Sequence, residues 1–388
     1  MTDLKALDSA YIANTYARFP VEIVSGKGSL MTDSEGREYI DMGSGIAVTS
    51  FGIADDDWVA AVTEQLHRVQ HTSNLYYTEP CAALAKMLCE RTGMKKVFFG
   101  NSGAEANECA IKAARKYAAE KKGADTFTIV TLKNSFHGRT LTTLAATGQE
   151  HYHELFQPLT PGFASVEAGD MAALEDLAKE TNIAAVMIEC IQGEGGVIPL
   201  DEGYVKALAA FAKARDILLI ADEVQTGNGR TGALYAYMNY GIQPDIVTTA
   251  KGLGGGLPIG AALLGEKVQD VFHPGAHGST FGGNPVCCAG AVNVLSRIDE
   301  ALLASVREKG QYVRDALTGA PGVEFVRGMG LMLGVKTVKP AAQVLGRLRE
   351  KGVLCLTAKD CVRLLPALNI PMDVLRRAVE AIKEVCAE

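Results

Sequence analysis

Two segments place reactive side chains at the ends of strand-like runs. TTAKGLGGGLPIG (248–260) puts Lys251 directly after an apolar run and before glycines and a proline. A lysine held there can form an imine with a carbonyl compound. The glycines would let backbone crowd a flat ligand. An isolated Lys-Gly pair is more often a surface lysine before a flexible turn. LLIADEVQTGNGRTG (218–232) changes the odds, because Asp222 closes another buried apolar strand. A carboxylate at the C-terminal edge of such a strand lies where open α/β sheets bind ligands. Alone, such an Asp is more often a turn or helix cap.

Together they fit pyridoxal 5'-phosphate. That cofactor needs an amine for its carbonyl and an acid to keep its ring nitrogen protonated, so that the ring can accept electrons. FFGNSGAEANECAIKAAR (98–115) reads as strand, small-residue turn and helix, and Ser102, Gly103 and Ala104 allow a phosphate close to free amides. It reads equally well as an ordinary capped helix, and it lacks P-loop spacing. NSFHGRT (134–140) offers an aromatic to stack on a ring, Arg139 to grip a carboxylate, and His137, a residue more often structural than catalytic. IECIQGEGGVIP (188–199) sets Glu189, Gln192 and Glu194 as a pocket lining or a solvated loop. GSTFGGNPVCCAG (278–290) turns into a helix and offers the Thr280 hydroxyl to a phosphate. His151 and His153 have no further ligand cluster beside them, so no metal is expected.

The elements that must position these groups follow from periodicity. Apolar runs at 97–100, 127–132, 184–189, 217–222, 245–250 and 261–265 alternate with helical patterns at 104–120, 171–179 and 204–215. Strands buried on both faces with helical crossovers predict a mostly parallel sheet in an α/β domain. Short runs and turns over 21–46 predict a small antiparallel sheet, followed by helices at 58–69 and 80–91. A helix at 289–297 precedes a mixed remainder (325–388). That remainder should form an α+β small domain discontinuous in sequence: 1–50 joins it, 51–285 is the large domain, and 286–388 is its C-terminal part.

The bulk properties exclude several classes. A net charge of −7 without a Lys/Arg run argues against a general nucleic-acid binder. No G-x-G-x-x-G opens a βαβ unit, which argues against dinucleotide binding. Nine cysteines, an odd number with no C-x-x-C pair, suggest reduced thiols. Neither a secretory leader nor a membrane span is evident, so a cytoplasmic protein with no membrane partner is expected.

HTSNLYYTEP (71–80), NSGAEANE, FHGRT, QGEGG, ADEVQTGNGRTG and STFGGNP, in this order along the chain, resemble the class III pyridoxal-phosphate aminotransferases of fold type I, over nearly the whole chain. The resemblance implies that Lys251 carries the cofactor. Ser102, Gly103 and Ala104 would bind phosphate, Phe136 and Val224 would cover the two ring faces, Asp222 would meet the ring nitrogen, and Gln225 the ring hydroxyl. Glu223 is carried over with that cofactor-binding stretch. Thr280 would reach the phosphate of a neighbouring subunit, which implies a homodimer. Arg139 and Ser279 would hold the substrate's carboxylate end, while Glu194 and Arg363 (in CVRLLPAL, 361–368) would let one site take two substrates. The implied substrates are N2-acetyl-L-ornithine and 2-oxoglutarate, in arginine biosynthesis. Succinylornithine, ornithine, 4-aminobutyrate and lysine-pathway amines are alternative donors, and a non-transaminating enzyme of the same fold is the further alternative. Two positions depart from the family pattern. Ala104 stands where threonine is usual, and FGIADDDW (51–58) replaces a usual G-H-x-H-P near the entrance to the site.

Overall fold

Strands without alternation, flanked by capped helices, need cover on both faces, and the middle of the chain provides it. The computed structural model describes residues 3–388. Its large sheet has seven strands, in spatial order Lys96–Gly100, Gly260–Leu264, Ile246–Thr249, Leu218–Asp222, Ile183–Ile188, Thr128–Leu132 and Phe163–Val166. All run the same way except Gly260–Leu264, which is antiparallel to both neighbours. The mostly parallel α/β sheet is therefore as expected. Phe163–Val166 has no apolar run to announce it: this edge strand is largely half-exposed and closes on a single buried residue, Val166.

The crossover helices Gly103–Lys122, Met171–Glu180 and Glu202–Ala214 start at Ser102, Asp170 and Asp201, whose side chains accept amide hydrogen bonds from the first turn. Their buried faces and the sheet enclose the main core, with Val186, Ile188, Leu208 and Leu219 inside it.

The early residues form the antiparallel strands Ile23–Lys27, Leu30–Asp33 and Glu38–Asp41, and Val353–Leu354 adds to that sheet in parallel. Ile40 and Met42 share a second core with Val306, Val344, Val362 and Val379. A further sheet, Val323–Met329, Met332–Thr337, Cys361–Leu364 and Leu356–Ala358, presents Arg363 toward the large sheet. Sequence patterns assign nothing to 298–324. The structure holds there the helix Glu300–Leu317, capped by Asp299, whose buried Leu303, Val306, Gly310, Val313 and Leu317 recur every three or four residues. The helix Pro285–Ser296 packs with the main core through Cys288, Ala291, Val294 and Leu295. No helix among the described residues is long and apolar enough to cross a membrane.

Candidate active site

Loops leaving the C-terminal edge of the large sheet converge on one cavity of about 610 Å³. Lys251 follows Ile246–Thr249 and takes φ +43. That left-handed conformation costs a residue with a Cβ roughly 1–2 kcal/mol, so neighbours must hold it. Burial pulls the Lys251 amine below its ordinary pKa, and the charges of Glu194 and Asp222 resist that pull. The result is an amine with more nucleophilic character than a surface lysine.

Asp222 lies in register with Thr248 on the neighbouring strand. Its Oδ2 accepts from Asn107 Nδ2 at 2.8 Å and His137 Nδ1 at 2.7 Å, and its Oδ1 accepts from the Val224 amide at 3.0 Å. His137 is thus more than a packed residue, and its Nε2 has no partner. Sequence reasoning missed Asn107. Its Nδ2 also donates to the His137 carbonyl at 2.7 Å, which joins helix, loop and carboxylate. A buried amide among the alanines of Gly103–Lys122 was the available signal.

At the other end of the cavity, Ser102 Oγ accepts the Glu105 amide at 3.2 Å. The amides of Gly103 and Ala104 precede any intrahelical acceptor and line the cavity. A Cβ on Gly103 would stand 2.6 Å from Val224 Cγ1, and one on Gly138 2.4 Å from Thr143 Oγ1. A buried amine, a buried carboxylate and free helix-terminal amides around one cavity match the carbonyl, ring nitrogen and phosphate of pyridoxal phosphate. Phe136 lines the same space, and its amide donates to Glu189 Oε1 at 2.8 Å. Glu189 Oε2 accepts from the Gly193 amide at 3.2 Å. Burial, with help from the Asp222 charge, pushes the Glu189 carboxyl up to about 7 against the pull of His137. Gln192 donates instead to the Lys133 carbonyl at 2.8 Å and leaves the cavity.

The two arginines differ in state. Arg139 lines the cavity with its guanidinium over the rings of Tyr152 (4.4 Å) and Phe136 (5.6 Å). Arg363 is almost fully buried; its Nη1 donates to Glu194 Oε1 at 2.6 Å and to Gln225 Oε1 at 3.1 Å. Gln225 Nε2 closes the triangle on Glu194 Oε1 at 3.4 Å. Burial would raise the Glu194 carboxyl, but the charge and hydrogen bond of Arg363 outweigh it, and the group sits below the usual carboxylate range.

Three expected residues lie elsewhere. Glu223 is turned into the core, where it accepts from Thr226 Oγ1 at 2.5 Å and from the amides of Ala236 and Tyr237 at 2.9 and 2.7 Å. Successive side chains at a strand end face opposite ways, so Asp222 and Glu223 cannot share one cavity. Glu223 does not line this cavity. Ser279 and Thr280 line a separate cavity of about 500 Å³, with Asn74, Tyr77 and Phe98. Ser279 Oγ is engaged there by Asn101 Nδ2 at 3.2 Å and the Gly282 amide at 3.0 Å. Within one chain neither residue reaches the Lys251 cavity. Tyr16, Val48 and Leu257 do line it, and no local pattern in the sequence marks them.

The family model for class III aminotransferases matches residues 11–386. An acetylornithine aminotransferase of Haemophilus ducreyi is 50% identical over 99% of this chain and 98% of its own length. One from Methanothermobacter thermautotrophicus is 44% identical over 98% of each. Among solved structures, an ornithine aminotransferase from Toxoplasma gondii, with partial occupancy of PLP at its active site, superposes with a TM-score of 0.94 at 35% identity, covering 99% of this chain and 94% of its own. The N-acetylornithine aminotransferase of Stenotrophomonas maltophilia gives 0.85 at 36% identity over 98% of both. With cavity, sheet and full-length similarity in agreement, the chain belongs to the class III aminotransferases, enzymes that move amino groups with pyridoxal 5'-phosphate.

Proposed function

We propose that the enzyme transfers the distal amino group of N2-acetyl-L-ornithine to 2-oxoglutarate, a step of arginine biosynthesis, and that it works as a homodimer. The observation that carries this reading is the contrast between an open Arg139 and an Arg363 locked under Glu194. An amine with its carboxylate at the far end can lie with that carboxylate on Arg139 and its amino group at Lys251. 2-Oxoglutarate reacts next to one carboxylate and so needs a second cation near the reacting carbon. Arg363 supplies it once Glu194 lets go. The names of the full-length relatives support the same donor.

Pyridoxal phosphate, when bound, supplies a carbonyl for amines and a ring that accepts an electron pair. Lys251 would hold it through its side-chain amine. Once free of it, the same amine would take the proton from the carbon bearing the amino group and later deliver it. Asp222, held by His137 and Asn107, would pair with the ring nitrogen. Ser102, Gly103 and Ala104 would bind the phosphate, Phe136 and Val224 would hold the ring between them, and Gln225 would meet the ring hydroxyl. Thr280 and Ser279 act on the cavity of a second copy. The exposed Leu75, Tyr76, Tyr77 and Phe281 near them are apolar surface that a second copy would cover. The division into 1–50, 51–285 and 286–388 belongs to the same proposal, with the helix Pro285–Ser296 as the hinge element packed on the large domain. Nine free cysteines accord with a cytoplasmic setting.

Steady-state rates with 2-oxoglutarate and a panel of acetylornithine, succinylornithine, ornithine and 4-aminobutyrate test the donor. Acetylornithine should give the highest kcat/KM. Ornithine is the second reading, favoured by the high structural similarity to an ornithine aminotransferase, and a higher value for ornithine would establish it instead. Borohydride reduction of the yellow holoenzyme followed by peptide mapping should find the cofactor on Lys251 alone.

A further inference from the structure

The chain has a single tryptophan, Trp58, and it closes the segment that departs from the family pattern. Asp55 caps the helix Asp56–Arg68 by accepting the Trp58 amide at 3.0 Å. Both terminal nitrogens of Arg297 grip Asp55, at 2.5 and 2.9 Å, and the same guanidinium lies 3.9 Å from the Phe51 ring centroid. The start of this helix is thereby pinned to the end of the helix Pro285–Ser296. From that anchor the indole Nε1 donates to the Gly254 carbonyl at 3.1 Å. Glycines make the room it needs. A Cβ on Gly255 would lie 2.7 Å from Nε1, one on Gly290 2.9 Å from Nε1, and one on Gly256 3.5 Å from the ring.

What the indole grips is the turn that carries Lys251. The Gly254 amide donates to the Lys251 carbonyl at 3.1 Å and closes the 3-10 turn Lys251–Leu253. Gly256, Leu257 and Pro258 continue from it as a wall of the Lys251 cavity. Ser50 Oγ donates to the Gly252 carbonyl at 3.0 Å, a second tie on the same turn. A lysine at φ +43 relaxes toward commoner backbone conformations unless the residues after it are held. We infer that Trp58 is a positioning residue: its N–H and ring clamp the Lys251–Gly256 turn and so fix where the Lys251 amine stands. The inference rests on Lys251 being the cofactor lysine, which the peptide mapping of the wild-type enzyme decides separately.

Two variants of the holoenzyme test it. Trp58→Phe removes the N–H and keeps a ring. Gly290→Ala keeps the indole N–H but sets a methyl group 2.9 Å from it, so that the ring must shift. Each is read by melting temperature, by the pH midpoint of the visible cofactor band, and by single-turnover rates of both half-reactions. If Trp58 positions Lys251, Trp58→Phe slows both half-reactions by roughly 2- to 12-fold, the worth of one neutral hydrogen bond, and moves the band's pH midpoint, while KM values stay within twofold. Gly290→Ala then moves the midpoint and both rates in the same direction as Trp58→Phe. Wild-type midpoints and rates in both variants, with only a lower melting temperature in Trp58→Phe, would make the indole ordinary packing and overturn the inference. A change in KM alone would overturn it as well, because the lysine would then be correctly placed.

Discussion

The cofactor side and the substrate side of the cavity are built in different ways. Around Asp222 the partners all come from segments flanking the large sheet, and Asn107, His137 and the Val224 amide occupy the carboxylate together. Three donors on one carboxylate, all carried by one core, leave it little room for a second arrangement. On the substrate side, Glu194, after the strand Ile191–Gln192, meets Arg363 from the last small sheet, with Gln225 able to partner either. Arg363 Nε has no partner there, just as His137 Nε2 and Asn107 Oδ1 have none on the other side, so the two sides differ in where their partners come from. The contrast suggests a fixed half that does chemistry and an exchangeable half that chooses the substrate.

The largest effect should come from the fixed half. Lys251→Ala should retain noncovalently bound cofactor yet lose at least the roughly 10²–10⁴-fold that a positioned proton carrier supplies. Near-normal single-turnover rates in this variant would remove Lys251 from the mechanism. Glu194→Ala addresses the exchangeable half. Freed from its carboxylate, Arg363 should favour glutamate over acetylornithine, and the ratio of the two half-reaction rates should shift by roughly 10- to 100-fold, the scale of a charge-assisted hydrogen bond. An equal change in both half-reactions would show that the pair is no switch.

Thr280→Val asks whether the fixed half is truly confined to one chain. If a second copy contributes Thr280, cofactor retention should weaken by about 1–3 kcal/mol, the loss of a hydrogen bond to a charged acceptor, as measured by release into a scavenging apoenzyme. A monomer fully active at every concentration, or unchanged retention, would confine the site to one subunit. The smallest effect concerns Glu223, buried away from the cavity. Burial pushes its carboxyl from 4.5 up to about 7, so the folded protein holds a proton that the unfolded chain has released. Its contribution is therefore present below about pH 4.5 and is lost as pH rises through about 7. Thermal melts across that window should decline less steeply for Glu223→Gln than for the wild type, with half-reaction rates unaltered. Altered half-reactions in Glu223→Gln would mean that the core glutamate does communicate with the cavity.

Much of the fold was legible because it is local. Runs such as 217–222 are apolar throughout, since both faces of Leu218–Asp222 are covered, and the helical periods at 104–120, 171–179 and 204–215 fall on helices. Lys251 and Asp222 could be paired as candidates because each ends such a run. The edge strand Phe163–Val166 carries no such run, because a half-exposed edge needs none. Glu223 is grouped with the site by its neighbours in sequence, while its own hydrogen-bond partners include the amides of Ala236 and Tyr237, outside the cavity.

By itself the sequence determined the order of most elements, the class of cofactor and a lysine and carboxylate suited to it, since periodicity and residue type are written along the chain. Tertiary structure decided which polar groups meet. Asn107 reaches Asp222 across 115 positions, Arg363 reaches Glu194 across 169, and Trp58 reaches Gly254 across 196. Such partners are set by how the cores pack and by the direction each side chain leaves its strand or helix. A partner at that separation leaves no local mark, because the energy that selects it appears only when both segments are buried together.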